Sequence, residues 1–223
     1  MKAIILAAGK GVRMRPLTHE TPKTLLKIKG KPIIEHIFNA LPKEISEVMV
    51  VVKYLGDQIK NYLGTEFGGR KISFAEGSDK GTAYSFLATK SFINKERFLL
   101  LNGDEFPSTA DIANCLKKDL SVITFQSYNS LAHGMVLLKS DRTILEVVEK
   151  PESWPTDIAV GGIYVLNEKI FNHQPTPNSK GEYYFSSMLS QFVKDYRVWP
   201  VPSIKFIGDV TTPNDIKRIE GLL

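Results

Sequence analysis

The sequence predicts an α/β fold with a mixed, mostly parallel central sheet and helices on both faces, and three observations predict it. Short apolar runs alternate with helical spacings through about residue 105, which is the rhythm of successive β-loop-α units. A glycine-rich turn closes the first apolar run. Beyond residue 105 apolar runs recur with few helices between them, so the second half is expected to add strands and loops to one edge of the first.

Residues 3–6 form a short apolar run, the pattern of a strand buried on both faces. Pro32 opens a helix in which Ile33, Ile34, Ile37, Phe38 and Leu41 fall at helical spacing before Pro42 stops it. The β-branched run 48–52 predicts a strand, 55–63 a helix ended by Gly64, and 72–75 a third strand. Residues 82–93 read as a helix and 98–101 as a fourth strand, ending at Asn102-Gly103-Asp104-Glu105. The second half offers strands at 122–125, 135–138, 144–148 and 158–165. A loop around Pro175, Pro177 and Gly181 follows, then a helix at 184–193, a strand at 198–201 and a closing helix from Pro213. No internal repeat or linker appears, so 1–223 is expected to be one domain, with halves of about 1–105 and 106–223.

The 223 residues are 43% hydrophobic, 24% charged and 10% aromatic, an ordinary globular profile that argues against disorder and fibrous folds. Twenty-nine basic against 24 acidic residues leave a formal charge of +5. That excess is spread out, so it marks no nucleic-acid polymer as a partner, yet it suits polyanionic small ligands. Cys115 is the single cysteine, and a reducing cytoplasm is the expected location. The apolar start is too short for a signal peptide, and no apolar run approaches the roughly 18 residues that span a membrane.

Leu6-Ala7-Ala8-Gly9-Lys10-Gly11-Val12-Arg13 follows the first strand. Glycines here let the backbone approach a phosphate chain and adopt positive φ, with N–H groups turned toward oxygen. Arg13, Arg15 and Lys23 supply charge for a polyphosphate. A dinucleotide fingerprint is excluded because position 14 is Met rather than glycine. A P-loop is excluded because Gly30-Lys31-Pro32 lacks the Ser or Thr that such a loop needs.

The stretch LAAGKGVRMRPLTHETPKTLLKIKGKPIIEHI, residues 6–37, resembles the signature of the sugar-phosphate nucleotidyltransferases, and the resemblance continues in order along nearly the whole chain. It implies a Rossmann-like nucleotidyltransferase fold and the Mg²⁺-dependent transfer of a nucleotidyl group from a nucleoside triphosphate to a sugar 1-phosphate, releasing pyrophosphate. On that resemblance Leu6, Ala8, Gly9 and Gly11 line the nucleotide, and Arg13 and Lys23 are the catalytic cations. Asp104 and Asp209 form the metal pair, the latter in Ile207-Gly208-Asp209-Val210-Thr211-Thr212-Pro213.

Glu149-Lys150-Pro151 resembles the family's Glu-Lys-Pro, the glutamate for sugar hydroxyls and the lysine for the sugar phosphate. Gly134 and Gly161-Gly162 resemble its backbone contacts to the sugar, and Glu182, in Gly181-Glu182-Tyr183-Tyr184, a further sugar contact. Glu76, Gly81 and Thr82 fall where the family reads the base. Many members carry glutamine at the position of Glu76. A carboxylate offers acceptors only, which suits guanine or the amino group of cytosine, and uracil or thymine stays open. No hexapeptide repeat follows Asp209, so an acetyltransferase is not expected; a homo-oligomer is left open. Two rival readings are a same-fold cytidylyltransferase acting on a non-sugar phosphate such as phosphocholine, and a non-catalytic regulatory subunit that binds nucleotide sugars.

Overall fold

The computed structural model describes residues 1–178, 180–205 and 207–223. The first half runs β1 (Lys2–Ala7), a small ribbon of β2 (Lys27–Ile28) and β3 (Lys31–Pro32), α1 (Ile33–Ala40), β4 (Glu47–Val52) and α2 (Gly56–Leu63). It continues with β5 (Glu66–Phe67), β6 (Arg70–Glu76), α3 (Thr82–Leu87) and β7 (Phe98–Asn102). The second half runs α4 (Thr109–Leu116), β8 (Ser121–Gln126), β9 (Gly134–Leu138), β10 (Ile144–Glu149), β11 (Ile158–Leu166), α5 (Phe185–Asp195), β12 (Trp199–Pro202) and α6 (Pro213–Leu222).

Among the described residues ten strands make one continuous sheet, in the order β10-β9-β11-β7-β1-β4-β6-β5, with β8 pairing β11 and β12. The β7-β1-β4-β6 stretch is parallel throughout, and β11 joins β7 antiparallel. The second half therefore attaches at one edge of the first, as the change of rhythm near residue 105 implies.

Parallel strands with covering helices must bury both faces, and β1 shows how. Ala3, Ile5 and Ala7 face a core shared with α1, α2, α4 and α6, while Ile4 faces a second core shared with α3 and α5. Helix α1 supplies Ile33, Ile34, Ile37 and Phe38 to the first core; α5 supplies Met188, Leu189, Phe192 and Val193 to the second. Each such fully buried side chain contributes roughly 1.5–3 kcal/mol relative to exposure. Helix α6 begins as its sequence suggests, with Pro213 in its first turn and a reciprocal Thr212–Asp215 capping box.

One expected element ends early. The helix expected over 82–93 ends at Leu87, and only a single 3₁₀ turn at Lys90–Phe92 follows. The buried Thr89 hydroxyl donates to the carbonyl of Phe86 at 2.7 Å and turns the chain back, which is how short polar side chains compete with a continuing helix. The β2–β3 ribbon and β5, two residues per strand, are too short to leave a period in the sequence.

Cys115 is fully buried in α4, and burial above all pushes its thiol up to about 12 because the thiolate is poorly solvated there. We expect iodoacetamide at pH 8 to leave native Cys115 unmodified while alkylating it fully in urea, read by intact mass. Alkylation of the native chain at the unfolded rate would contradict this packing.

Candidate active site

The carboxyl ends of β1 and β7 open into one cleft of about 980 Å³, where ligands bind in open parallel sheets. Of the residues that the sequence points to, Leu6, Ala8, Gly9, Gly11, Arg13, Lys23, Gly81, Thr82, Asp104, Gly134, Glu149, Lys150 and Asp209 all line it. Two sets of groups far apart in the chain thus share one space.

The glycine-rich loop follows β1. Gly11 has φ +58°, the left-handed region, and a 3₁₀ turn carrying Arg13 starts from it. A methyl group there would also sit 3.1 Å from Thr18 Cγ2 and 3.2 Å from Lys23 Cβ. The Thr18 hydroxyl donates to the Gly11 carbonyl at 2.8 Å, fixing the turn. Gly9 departs from expectation: its φ is not positive, and a Cβ there would meet nothing within 4 Å. Its use is the open space beside a bare backbone.

A second 3₁₀ turn, Lys23–Leu25, aims Lys23 at the end of β7, where its ammonium lies 2.7 Å from Asp104 Oδ2. Asp104 and Asp209 come together through the backbone. Glu105 and Asp209 form an antiparallel bridge, and the Val210 N–H donates to the Asp104 carbonyl at 2.9 Å. The Thr211 hydroxyl donates to the Asp209 carboxylate.

Between these acids lies Glu105, a residue the sequence reading did not single out. Its Oε1 accepts from Asn102 Nδ2 at 2.7 Å and its Oε2 from the backbone N–H of Gly162 at 2.6 Å. Burial, then the charge of Asp104, pushes its carboxyl up to about 7, against the pull of those two bonds. Among the described residues no group of three or more His, Cys, Asp and Glu side chains forms a metal cage. Asp104 and Asp209 both line the cleft, and carboxylate oxygens are donors of the kind that hard divalent cations take.

On the far wall Gly134 of β9 lies directly opposite Glu149 of β10, and a Cβ there would come within 3.3 Å of Glu149 Oε2. Lys150 follows with φ +47°, its ammonium 3.4 Å from Glu149 Oε1 and 4.7 Å from the centroid of the Tyr184 ring.

Three expected site residues lie outside the cleft wall. Glu76 is exposed at the end of β6. Glu182 is exposed and accepts from Tyr184 Oη at 2.9 Å and Asn178 Nδ2 at 3.3 Å. Gly162 sits behind Glu105, where an added Cβ would lie 2.5 Å from Oε1; its lack of a side chain serves that carboxylate. Gly81, φ +129°, lines the cleft but has a second duty, since a Cβ would fall 2.4 Å from the carbonyl of Tyr183. The Thr82 hydroxyl likewise accepts from the Phe185 N–H at 2.9 Å, joining the start of α3 to the start of α5. The adjacent acidic pair Asp104-Glu105 was the only sequence signal for Glu105, and the doubled tyrosine after Glu182 the only one for Tyr184.

Residues 2–211 match the profile of the nucleotidyl transferase family. The bifunctional protein GlmU of Methanocaldococcus jannaschii is 33% identical over 219 residues, 97% of this chain and 52% of that protein. The chain spans about half the length of this relative. UTP–glucose-1-phosphate uridylyltransferase AglF of Haloferax volcanii is 30% identical over 236 residues, covering 100% of this chain and 96% of its own. Among solved structures, UDP-glucose pyrophosphorylase complexed with UDP-glucose superposes with a TM-score of 0.83 at 20% identity, covering 99% of this chain and 97% of the other. That likeness speaks to fold.

The contact behind Glu105 is directly testable. Gly162→Ala should cost roughly 1–3 kcal/mol by overpacking, a fall of several degrees in Tm. Gly221→Ala, whose methyl meets nothing within 4 Å, should leave Tm unchanged or raised. Equal melting of both variants would mean that Glu105 does not press on Gly162.

Proposed function

We propose, since the chain belongs to the nucleotidyl transferase family, that it is a cytoplasmic sugar-1-phosphate nucleotidyltransferase, with one catalytic domain that forms a nucleoside-diphosphate sugar and pyrophosphate. The observation that carries this is the shared cleft: the cationic glycine-rich loop and the Glu149–Lys150 pair line one space, with two carboxylates beside them. AglF bears the name of a reaction in this class.

The step needs no protein nucleophile. A phosphate oxygen of the sugar 1-phosphate bonds to the α-phosphorus, and the bond from that phosphorus to its β-bridging oxygen breaks. The electron pair leaves with pyrophosphate. Such transfers depend on positioning and on charge stabilisation at the phosphate oxygens.

The turn at Gly11 offers backbone to the triphosphate, and Arg13 faces its pyrophosphate portion. Lys23, now on Asp104 at 2.7 Å, has the α-phosphate oxygens as its competing partner. Glu149 accepts from sugar hydroxyls, and Lys150 pairs with the sugar phosphate. Mg²⁺ held by Asp104 and Asp209 would supply neutralising charge at the phosphate oxygens.

A pyrophosphate-release screen should test this, crossing five triphosphates with several sugar 1-phosphates in Mg²⁺. Release that requires both substrates is expected; its absence in every combination would refute the reading. Arg13→Ala and Asp104→Ala should each lower turnover at least ~100-fold with the fold intact by circular dichroism. Near-normal turnover would remove those roles. EDTA should abolish release, and added Mg²⁺ should restore it.

A further inference from the structure

We infer that Tyr184 is a positioning residue for Lys150, presenting its ring face to the ammonium at the sugar-phosphate end of the cleft, and that Glu182 acts through Tyr184 rather than on the sugar. The inference rests on the functional reading above, because it takes Lys150 as the phosphate-binding cation.

Lys150 lies one residue past the end of β10, with its backbone held by a 3.1 Å bond from its N–H to the carbonyl of His133. Its side chain is four flexible carbons, so neighbours must define where the charge rests. Two groups face it. Glu149 Oε1 is 3.4 Å away, longer than a well-formed N–H···O bond, and this carboxylate is also the group that would accept sugar hydroxyls. The other is the Tyr184 ring, 4.7 Å from centroid to ammonium, within cation–π range.

The two partners behave differently when a phosphate arrives. A carboxylate competes with phosphate for the same N–H donors. A ring face attracts the cation through its quadrupole and leaves donors free for phosphate oxygens. Tyr184 is therefore the partner that persists in the occupied site.

The backbone on both sides of Tyr184 is anchored. The Tyr183 carbonyl accepts from the Ala83 N–H at 3.0 Å and the Tyr183 N–H donates to the Lys80 carbonyl at 3.0 Å. The Phe185 N–H donates to Thr82 Oγ1. The phenol donates to Glu182 Oε2, which gives the exposed Glu182 a role consistent with its place outside the cleft wall. Burial, then that bond, pushes the phenol up to about 12, so it remains a donor throughout the working range.

The test uses calorimetric titration with glucose, galactose and mannose 1-phosphates, followed by kinetics on whichever is turned over. Tyr184→Leu should weaken sugar 1-phosphate binding and raise its KM roughly 3- to 10-fold, with the KM for triphosphate unchanged. Tyr184→Phe, which keeps the ring face, should recover most of the loss. In a Lys150→Met background, Tyr184→Leu should add no further loss, because the coupled partner is gone. Equal losses in both backgrounds, a Phe variant as weak as Leu, or a rise in both KM values would reduce Tyr184 to packing and overturn the inference. A wild-type chain that binds while Tyr184→Leu binds equally well overturns the inference alone. A wild-type chain that binds none of the three overturns the functional reading with it.

Discussion

The organisation of the site depends on how one buried carboxylate is satisfied. A carboxylate taken out of water is costly unless donors replace its hydration. Glu105 has found two such donors, Asn102 Nδ2 at 2.7 Å and the Gly162 N–H at 2.6 Å. They belong to β7 and β11, strands from the two halves of the chain. The backbone of Glu105 also bridges to Asp209. One residue therefore ties together β7, β11 and the late acidic segment. Its carboxyl sits near 7, chiefly because of burial, and charge-assisted bonds are what keep such a group in place.

The same constraint reassigns several glycines. On sequence alone a glycine near a ligand reads as backbone offered to that ligand. Gly162 is instead the only residue type that fits behind Glu105, and Gly81 the only one that fits against the Tyr183 carbonyl. Gly11 keeps the expected meaning, a left-handed turn under the glycine-rich loop. Whether a glycine serves a ligand or a neighbouring chain segment depends on what lies opposite in space, and local sequence carries none of that.

This also sets how much was legible beforehand. The strand–helix rhythm, the change of rhythm near residue 105 and the burial of β1 on both faces follow from apolar periods that lie within single segments, whereas the joining of the second half at β7 does not. The capped start of α6 rests on Thr212-Pro213, and the shared placement of Arg13, Lys23, Asp104 and Glu149 in the cleft was implied by the resemblance that contiguous motifs carry. Thr89 stopping α3 was not legible, because a helical period cannot show a hydroxyl turning back on Phe86. Glu105 and Tyr184 were missed for a related reason. Their partners, Gly162 and Lys150, lie 57 residues away in the one case and on a different element in the other.

The electrostatics of the cleft follow one pattern. Lys23 rests on Asp104 and Lys150 beside Glu149. Outside the cleft lining Lys53 and Lys10 share Asp79, which their bonds hold below the usual carboxylate range. The chain thus supplies its own anions to the cations that face the opening. On the proposed function, polyanionic substrates would exchange one set of charge pairs for another, rather than enter a field of uncompensated positive charge. Carboxylate partners hold these lysines in defined directions. Arg13 is the exception: exposed on its 3₁₀ turn, it has no hydrogen bond or ion pair to a carboxylate among the described residues. Its exposed guanidinium is a planar fork of donors that, on the proposed function, would meet a phosphate without first giving up a protein partner.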